Sequence, residues 1–155
     1  MPDIIVTRDI AAPCTDLWAL IADLPRMGSW STENTGGAWV KGATGPALGA
    51  KFKGTNANGA KRWETLATIT SCDPGKSFGF LVTVGPVKVA EWHYGFADVG
   101  SGGTRVTESW TERRPKLIQK LGKKASGVED RRASNKASME ETLARIDAHV
   151  KAAKN

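Results

Sequence analysis

Between residues 34 and 113 the chain shows no helical spacing of apolar side chains and alternates apolar with polar residues instead. A period of two is typical of β-strands with one buried face. It predicts six strands, over residues 38–41, 50–56, 61–71, 77–84, 87–99 and 104–112. The breaks between them are GATGPALG, NANG, DPGK, GP and GSGG, which are rich in turn-forming residues. Short turns join antiparallel neighbours, so this stretch predicts an antiparallel meander.

A strand and two short helices are predicted before the meander. Ile4–Ile10 alternates like a strand, and Pro13 is suited to the first turn of a helix. Pro25 then limits residues 24–30 to a second short helix. The apolar stripe that indicates the first helix consists of Cys14, Leu17, Trp18 and Ile21.

One long helix is predicted after the meander, over residues 128–153. Its apolar stripe consists of Met139, Leu143, Ile146 and Val150. A curved sheet must cover its concave face, and this helix is the element available to do so. We therefore predict an α+β fold in a single domain over residues 1–155, with a seven-stranded curved antiparallel sheet wrapped around the C-terminal helix. A loosely gripped helix would leave a cavity.

Charge and cysteine content narrow the classes of function. Residues 113–155 hold 12 Lys and Arg against 5 Asp and Glu, whereas residues 1–112 hold 10 against 11. A basic excess confined to one segment favours a solvated helix face over a nucleic-acid site. Two distant cysteines and no ligand cluster predict no metal and no cofactor. The N-terminus lacks a signal-peptide pattern, and we expect a cytoplasmic protein.

Alternation also assigns side chains to the two faces of the predicted sheet. Trp92, Tyr94 and Phe96 share one face, and exposure of three aromatic side chains to water would be unfavourable. The same reasoning places a larger set on the concave face: Phe52, Gly54, Asn56, Trp63, Thr65, Ala67, Ile69, Phe78, Phe80, Val82, Val84, Thr104, Val106, Glu108 and Trp110. His93 falls on the opposite face, which indicates a surface residue rather than a general base.

Asn56, Tyr94 and Glu108 place polar groups on this largely apolar face. A few directed polar groups in an apolar pocket are typical of a small-molecule site. A buried carboxyl group must be paired, protonated or in contact with water or ligand. Glu108 is therefore interpreted either as a ligand-orienting group or as a structural residue that is bonded to Tyr94 or Arg26 or lies at a wet end of the cavity.

Several segments resemble the START-like helix-grip superfamily (SRPBCC), in its polyketide cyclase/dehydrase and lipid-transport branch. They are IAAPCTDLWALIADLPRMGSW, RWETLATITSCDPGKSFGF, GGTRVTESWT and GVEDRRASNKASMEETLARI. The resemblance implies a helix-grip fold with a hydrophobic tunnel, and it carries over no catalytic residue because the family shares no catalytic triad. Together with the face assignment, it gives these candidate ligand-binding residues: Trp30, Asn56, Trp63, Phe80, Trp92, Tyr94, Glu108, Trp110, Met139 and Leu143.

Three functions are compatible with these features. The first is binding or transport of a hydrophobic, partly polar small molecule, lipid-like or polyketide-like. The second is an enzyme of the cyclase or dehydratase type with Glu108 as acid and base. The third is a regulatory module with a vestigial cavity, which a core filled tightly by six tryptophans would favour.

The connector 115–127 has two interpretations. Leu117, Ile118 and Leu121 form a short apolar stripe among four lysines. The connector is either docked on the C-terminal helix or acts as a lid at the cavity mouth. As a lid, its lysines would attract an anionic ligand or make a transient contact with an anionic membrane.

Overall fold

The computed structural model describes residues 1–154. Its strands are β1 (Ile4–Ile10), β2 (Asn34–Val40), β3 (Lys51–Asn58), β4 (Lys61–Asp73), β5 (Ser77–Val84), β6 (Val87–Gly100) and β7 (Gly103–Glu112). Its helices are α1 (Cys14–Ala22), a 3-10 helix (Leu24–Ser29), α2 (Lys116–Ser126) and α3 (Arg131–Ala153). The strands form one sheet in the order β1-β7-β6-β5-β4-β3-β2, and neighbours are antiparallel. The predicted α+β helix-grip fold is confirmed.

The largest difference from the predicted strands concerns β2, which begins at Asn34 instead of residue 38. Residues 34–37 carry no apolar alternation, so their sequence gives no strand signal. Pairing with β3 holds them instead, with Gly37 opposite Gly54. Gly37 has a φ of +147°, and a Cβ atom there would clash with the carbonyl oxygen of Lys53. This close approach of two backbones requires glycine.

Helix α1 packs over one end of the concave face, near the β4–β5 turn. Leu17 and Ile21 of its predicted stripe are buried, and Trp18 is half-buried. The indole Nε1 of Trp18 donates a hydrogen bond to the carbonyl oxygen of Ser77 at 2.7 Å. Its ring also packs edge-on against Phe78, with centroids 6.1 Å apart. We call this region the α1 end of the concave face.

Helix α3 begins at Arg131, three residues later than predicted, because Asp130 caps it by accepting a hydrogen bond from the backbone N–H of Ala133 at 3.1 Å. Its predicted apolar stripe is buried against the sheet. Asp147 on the same helix is also buried. Arg8 on β1 donates a hydrogen bond to Asp147 at 2.9 Å and so ties α3 to the sheet, and Lys151 on α3 itself donates another at 3.2 Å.

The predicted connector 115–127 forms helix α2, which ends at Gly127 in the left-handed conformation (φ 72°). Asn58, at the end of β3, donates a hydrogen bond to the carbonyl oxygen of Ser126 at 2.9 Å. Helix α2 therefore lies beside the β3–β4 hairpin, at the end of the sheet opposite α1, which we call the α2 end. Within residues 1–154, no helix combines the length and apolar character needed to cross a bilayer.

Candidate functional site

A cavity of about 410 Å³ lies at the α2 end, between the concave face and helices α2 and α3. Small-molecule sites commonly measure roughly 300–1,000 Å³. Val84 and Leu121 line the cavity and are also largely exposed, so it opens to solvent between the β5–β6 hairpin and α2. The tryptophans therefore do not fill the core completely.

Most of the candidate ligand-binding residues come together on the floor of this cavity: Asn56, Trp63, Phe80, Trp92, Tyr94, Glu108 and Trp110. Trp30, Met139 and Leu143 do not line it and are buried in the core instead. Trp30 packs against His149, with ring centroids 5.1 Å apart. Met139 and Leu143 were expected at the cavity, but they pack α3 against the sheet instead.

The roof of the cavity contains a stripe of α3 that the sequence did not reveal, together with the segment that was expected either as a docked connector or as a lid. Helix α3 contributes Arg131, Asn135, Ser138 and Thr142, and α2 contributes Ile118, Leu121, Gly122, Ala125 and Ser126. The four α3 residues follow the spacing i, i+4, i+7, i+11, which also describes the apolar stripe eight residues further along. A polar helical stripe is normally interpreted as a solvated face. Burial of Asn135 and Thr142 identifies this one as a cavity wall.

Glu108 and Tyr94 form a buried pair on the cavity floor. The register of β6 and β7 places the two residues directly opposite each other. The Tyr94 hydroxyl donates a hydrogen bond to Glu108 Oε1 at 2.7 Å. Glu108 is only 1% exposed, and its Oε2 has no hydrogen-bond partner among residues 1–154. Arg26 is exposed and stacks on Trp30 instead, at 5.3 Å from the ring centroid. Of the two predicted partners, Tyr94 is the one bonded.

Burial controls the protonation of both groups. It raises the pKa of Glu108 to about 8, although the hydrogen bond from Tyr94 opposes the shift. Burial and the neighbouring Glu108 carboxylate raise the pKa of Tyr94 well above its usual value. At neutral pH most molecules therefore hold Glu108 as a neutral acid. Because Oε1 accepts from Tyr94, a proton on Oε2 is free to be donated to a ligand.

Two arginines line the cavity, and each is paired with a glutamate. Arg114 donates to both carboxylate oxygens of Glu112, at 2.8 and 2.6 Å. Arg131 donates to Glu33 at 2.8 Å and lies 5.9 Å from the Trp63 ring centroid. These charges balance each other, so the cavity presents no net charge from these pairs to a ligand. This arrangement suits a neutral or weakly polar molecule better than a highly charged one.

Other reactive groups are not assembled at the cavity. Within the described chain, no three His, Cys, Asp or Glu side chains are close enough to hold a metal ion. Burial raises the pKa of the Cys72 thiol, which makes a reactive thiolate less available. His93 is exposed on the convex face, as predicted. Glu108 and Tyr94 are the buried titratable pair on the cavity floor.

A family model described as polyketide cyclase/dehydrase and lipid transport matches residues 1–151. A significantly similar protein is Cgl2372 of Corynebacterium glutamicum, a Polyketide_cyc-like protein whose solution NMR structure is known. It is 32% identical, the match covers 96% of this chain and 90% of that one, and the TM-score is 0.63. Among curated proteins, no sequence shows significant similarity.

More distant solved structures share the fold. One is major latex-like protein 151 of Panax ginseng, with 14% identity, 94% and 95% coverage of this chain and that chain, and a TM-score of 0.70. Another is StfQ, a di-domain ARO/CYC protein from the steffimycin biosynthetic pathway, with 11% identity and a TM-score of 0.67. That match covers 97% of this chain and 45% of StfQ. At these identities the likeness concerns the fold alone.

Proposed function

This chain belongs to the polyketide cyclase/dehydrase and lipid transport family, and from this premise we propose that it binds or transports a largely apolar small molecule that carries a hydrogen-bond acceptor. The molecule would be lipid-like or polyketide-like, with its apolar part against Phe80, Trp92 and Trp110. Its acceptor, a carbonyl or hydroxyl oxygen, would receive the proton on Glu108 Oε2.

The unpartnered Oε2 of Glu108 carries this proposal. A buried polar atom without a partner is costly, by about 1–3 kcal/mol, and most such atoms in proteins are satisfied. Here the atom is buried and belongs to a residue that lines the cavity. A ligand with an acceptor would remove that cost. A competing molecule without an acceptor would leave Oε2 unpartnered and would bind more weakly. Glu108 would thus orient the ligand and select for it.

Two fluorescent probes test this role. Prodan has an aromatic ring system and a ketone acceptor, whereas N-phenyl-1-naphthylamine has no carbonyl group. We expect the protein to bind Prodan with an affinity that falls about tenfold as the pH rises through 8 and Glu108 loses its proton. Glu108→Gln places an amide N–H in the position of Oε2, so its affinity should be independent of pH. Glu108→Leu should bind Prodan weakly at every pH.

The acceptor-free probe is the control, and its affinity should be similar for all three proteins. Equal Prodan affinities in the three proteins would overturn the role of Glu108. If neither probe binds to the folded protein, the binding proposal itself is wrong.

Catalysis of a cyclisation or dehydration is the second candidate function, favoured by the pKa of Glu108 at about 8. An acid that titrates near neutral pH can both give and take a proton. Tyr94 holds its proton too firmly to act as the base, so Glu108 would need to perform both transfers. Incubation with a β-hydroxy ketone tests this function, because dehydration creates a conjugated chromophore. Turnover by the native protein and its loss in Glu108→Gln would establish catalysis.

A further inference from the structure

Helix α2 exposes apolar side chains at the cavity mouth. Leu117 is 71% exposed and Leu121 is 60% exposed, and both rank among the most exposed large apolar residues of the described chain. Val84, at the tip of the β5–β6 hairpin, is 47% exposed and lines the cavity together with Leu121. Leu117 lies one helical turn before Leu121 on α2, and we call Val84, Leu117 and Leu121 the apolar rim. Such exposure is unfavourable unless the rim has a partner.

Positive charge borders this rim on one side. Helix α2 carries Lys116, Lys120, Lys123 and Lys124 and no acidic residue. All four lysines are exposed, and none forms a salt bridge within residues 1–154. With 100° between successive residues, the lysines cover one face of the helix, and the cavity-lining residues Ile118, Gly122 and Ala125 cover another. Leu117 and Leu121 lie on the boundary between the two.

Leucines beside a lysine face are the features of a helix that lies in a bilayer interface. The acyl region takes the apolar side chains, and anionic headgroups attract the lysines. An acidic protein could also pair with the lysines, and the vesicle experiment below distinguishes it from a bilayer.

We propose that α2 and the β5–β6 hairpin tip dock this protein on an anionic lipid bilayer, with the cavity mouth against the membrane. In this orientation Leu117 and Val84 enter the interface, and the lysines contact headgroup phosphates. The contact does not require a ligand in the cavity, so it goes beyond the proposed binding function.

Vesicle sedimentation tests the proposal with the full chain. Sucrose-loaded vesicles of phosphatidylcholine alone, or with 30% phosphatidylglycerol, are mixed with protein in about 25 mM and 150 mM salt. We expect binding to the anionic vesicles only, and weaker binding at the higher salt because screening shortens the electrostatic range.

Two pairs of variants separate charge from insertion. Lys120→Gln with Lys124→Gln should lower partitioning roughly thirtyfold, because each lysine near an anionic surface contributes about fivefold. Its control, Lys41→Gln with Lys76→Gln, removes the same charge from exposed positions in turns at the α1 end. Leu117→Ser should lower partitioning about tenfold. Its control is Leu48→Ser, because Leu48 is 69% exposed but lies in the β2–β3 loop.

The outcomes distinguish this proposal from the proposed function. Both test variants should bind Prodan as the native protein does in the absence of vesicles. Loss of vesicle binding in the lysine variant with full binding by Leu117→Ser would show that the lysines contact headgroups without insertion of Leu117, and would overturn the proposed orientation of α2 in the bilayer. Equal effects of the test and control variants would also overturn it. Absence of vesicle binding by a native protein that still binds Prodan would reject this proposal alone.

Discussion

At the α1 end of the concave face, side chains from the sheet, α1 and α3 pack against one another, whereas at the α2 end the same sheet and the same helix enclose a cavity of about 410 Å³. Phe78, Leu17 and Ile146 at the α1 end are completely buried. Trp63 and Trp92 at the α2 end remain half-buried. The strands run through both ends, so strand pairing does not cause this difference.

The difference arises from what covers the sheet. Helix α3 presents Leu143, Ile146 and Val150 in its second half and polar side chains such as Asn135 and Thr142 in its first half. Apolar residues close the gap to the sheet, and polar residues leave space that a ligand or water can occupy. We infer that the α1 end stabilises the fold and that the α2 end provides the binding site.

The largest expected effect is on stability at the α1 end. Phe78→Ala should lower the free energy of unfolding by about 4 kcal/mol, because it leaves a cavity in a fully packed region. Trp63→Ala, at the α2 end, should cost less than half as much because Trp63 is half-buried and faces existing space. Urea denaturation of both variants gives the values. Equal losses in the free energy of unfolding for the two variants would show that the two ends are packed equally well.

The next effect concerns Glu108, between the two ends. Its pKa is about 8 in the folded protein and 4.5 for an exposed glutamate, so the native state binds the proton more tightly than the unfolded state. Its contribution to stability is therefore complete below pH 4.5 and is lost as the pH rises through 8. The loss between pH 5 and pH 8 should be a few kcal/mol, because one pKa unit corresponds to about 1.4 kcal/mol.

Urea denaturation across this pH range, with Glu108→Gln as the reference, isolates the contribution of this carboxyl group. The amide cannot titrate, so the difference in stability between the two proteins should change with pH. A constant difference would mean that Glu108 is hydrated and ionises normally.

The smallest effect compares two buried threonines. The hydroxyl of Thr104, at the α1 end, donates to the carbonyl oxygen of Ala12 at 2.7 Å, so Thr104→Val should cost about 1–2 kcal/mol by leaving that oxygen unsatisfied. Thr142 lines the cavity and makes no side-chain hydrogen bond within residues 1–154. Thr142→Val should change stability by less than about 0.5 kcal/mol. Thermal unfolding measures both, and a larger cost at Thr142 would show that the cavity wall supports the fold.

Much of the floor of the site was predictable, because alternation along a strand determines which face each side chain occupies. The positions of Trp92, Tyr94 and Glu108 follow from this rule. Alternation left Tyr94 and Arg26 open as partners of Glu108, and the register of β6 and β7 decides for Tyr94. A pattern among residues that are close in the sequence is therefore sufficient to predict the cavity floor.

The roof was not predictable in the same way. Whether Asn135 contacts solvent or a cavity depends on the distance between α3 and the sheet, which no local pattern encodes. For the same reason Met139 and Leu143 were expected at the cavity, although their apolar stripe closes the gap to the sheet. For helix α2 the sequence left two interpretations, a connector docked on the C-terminal helix and a lid at the cavity mouth, because its lysines also match an ordinary surface helix.

The eight-residue offset between the polar and apolar stripes of α3 has a consequence for how this protein can change. Substitutions at Asn135, Ser138 and Thr142 alter the cavity wall without touching the side chains that hold the helix to the sheet. A library confined to these three positions should therefore yield folded variants with different ligand preferences. Substitutions in the first half of α3 can therefore change ligand recognition, while the second half keeps the helix packed on the sheet.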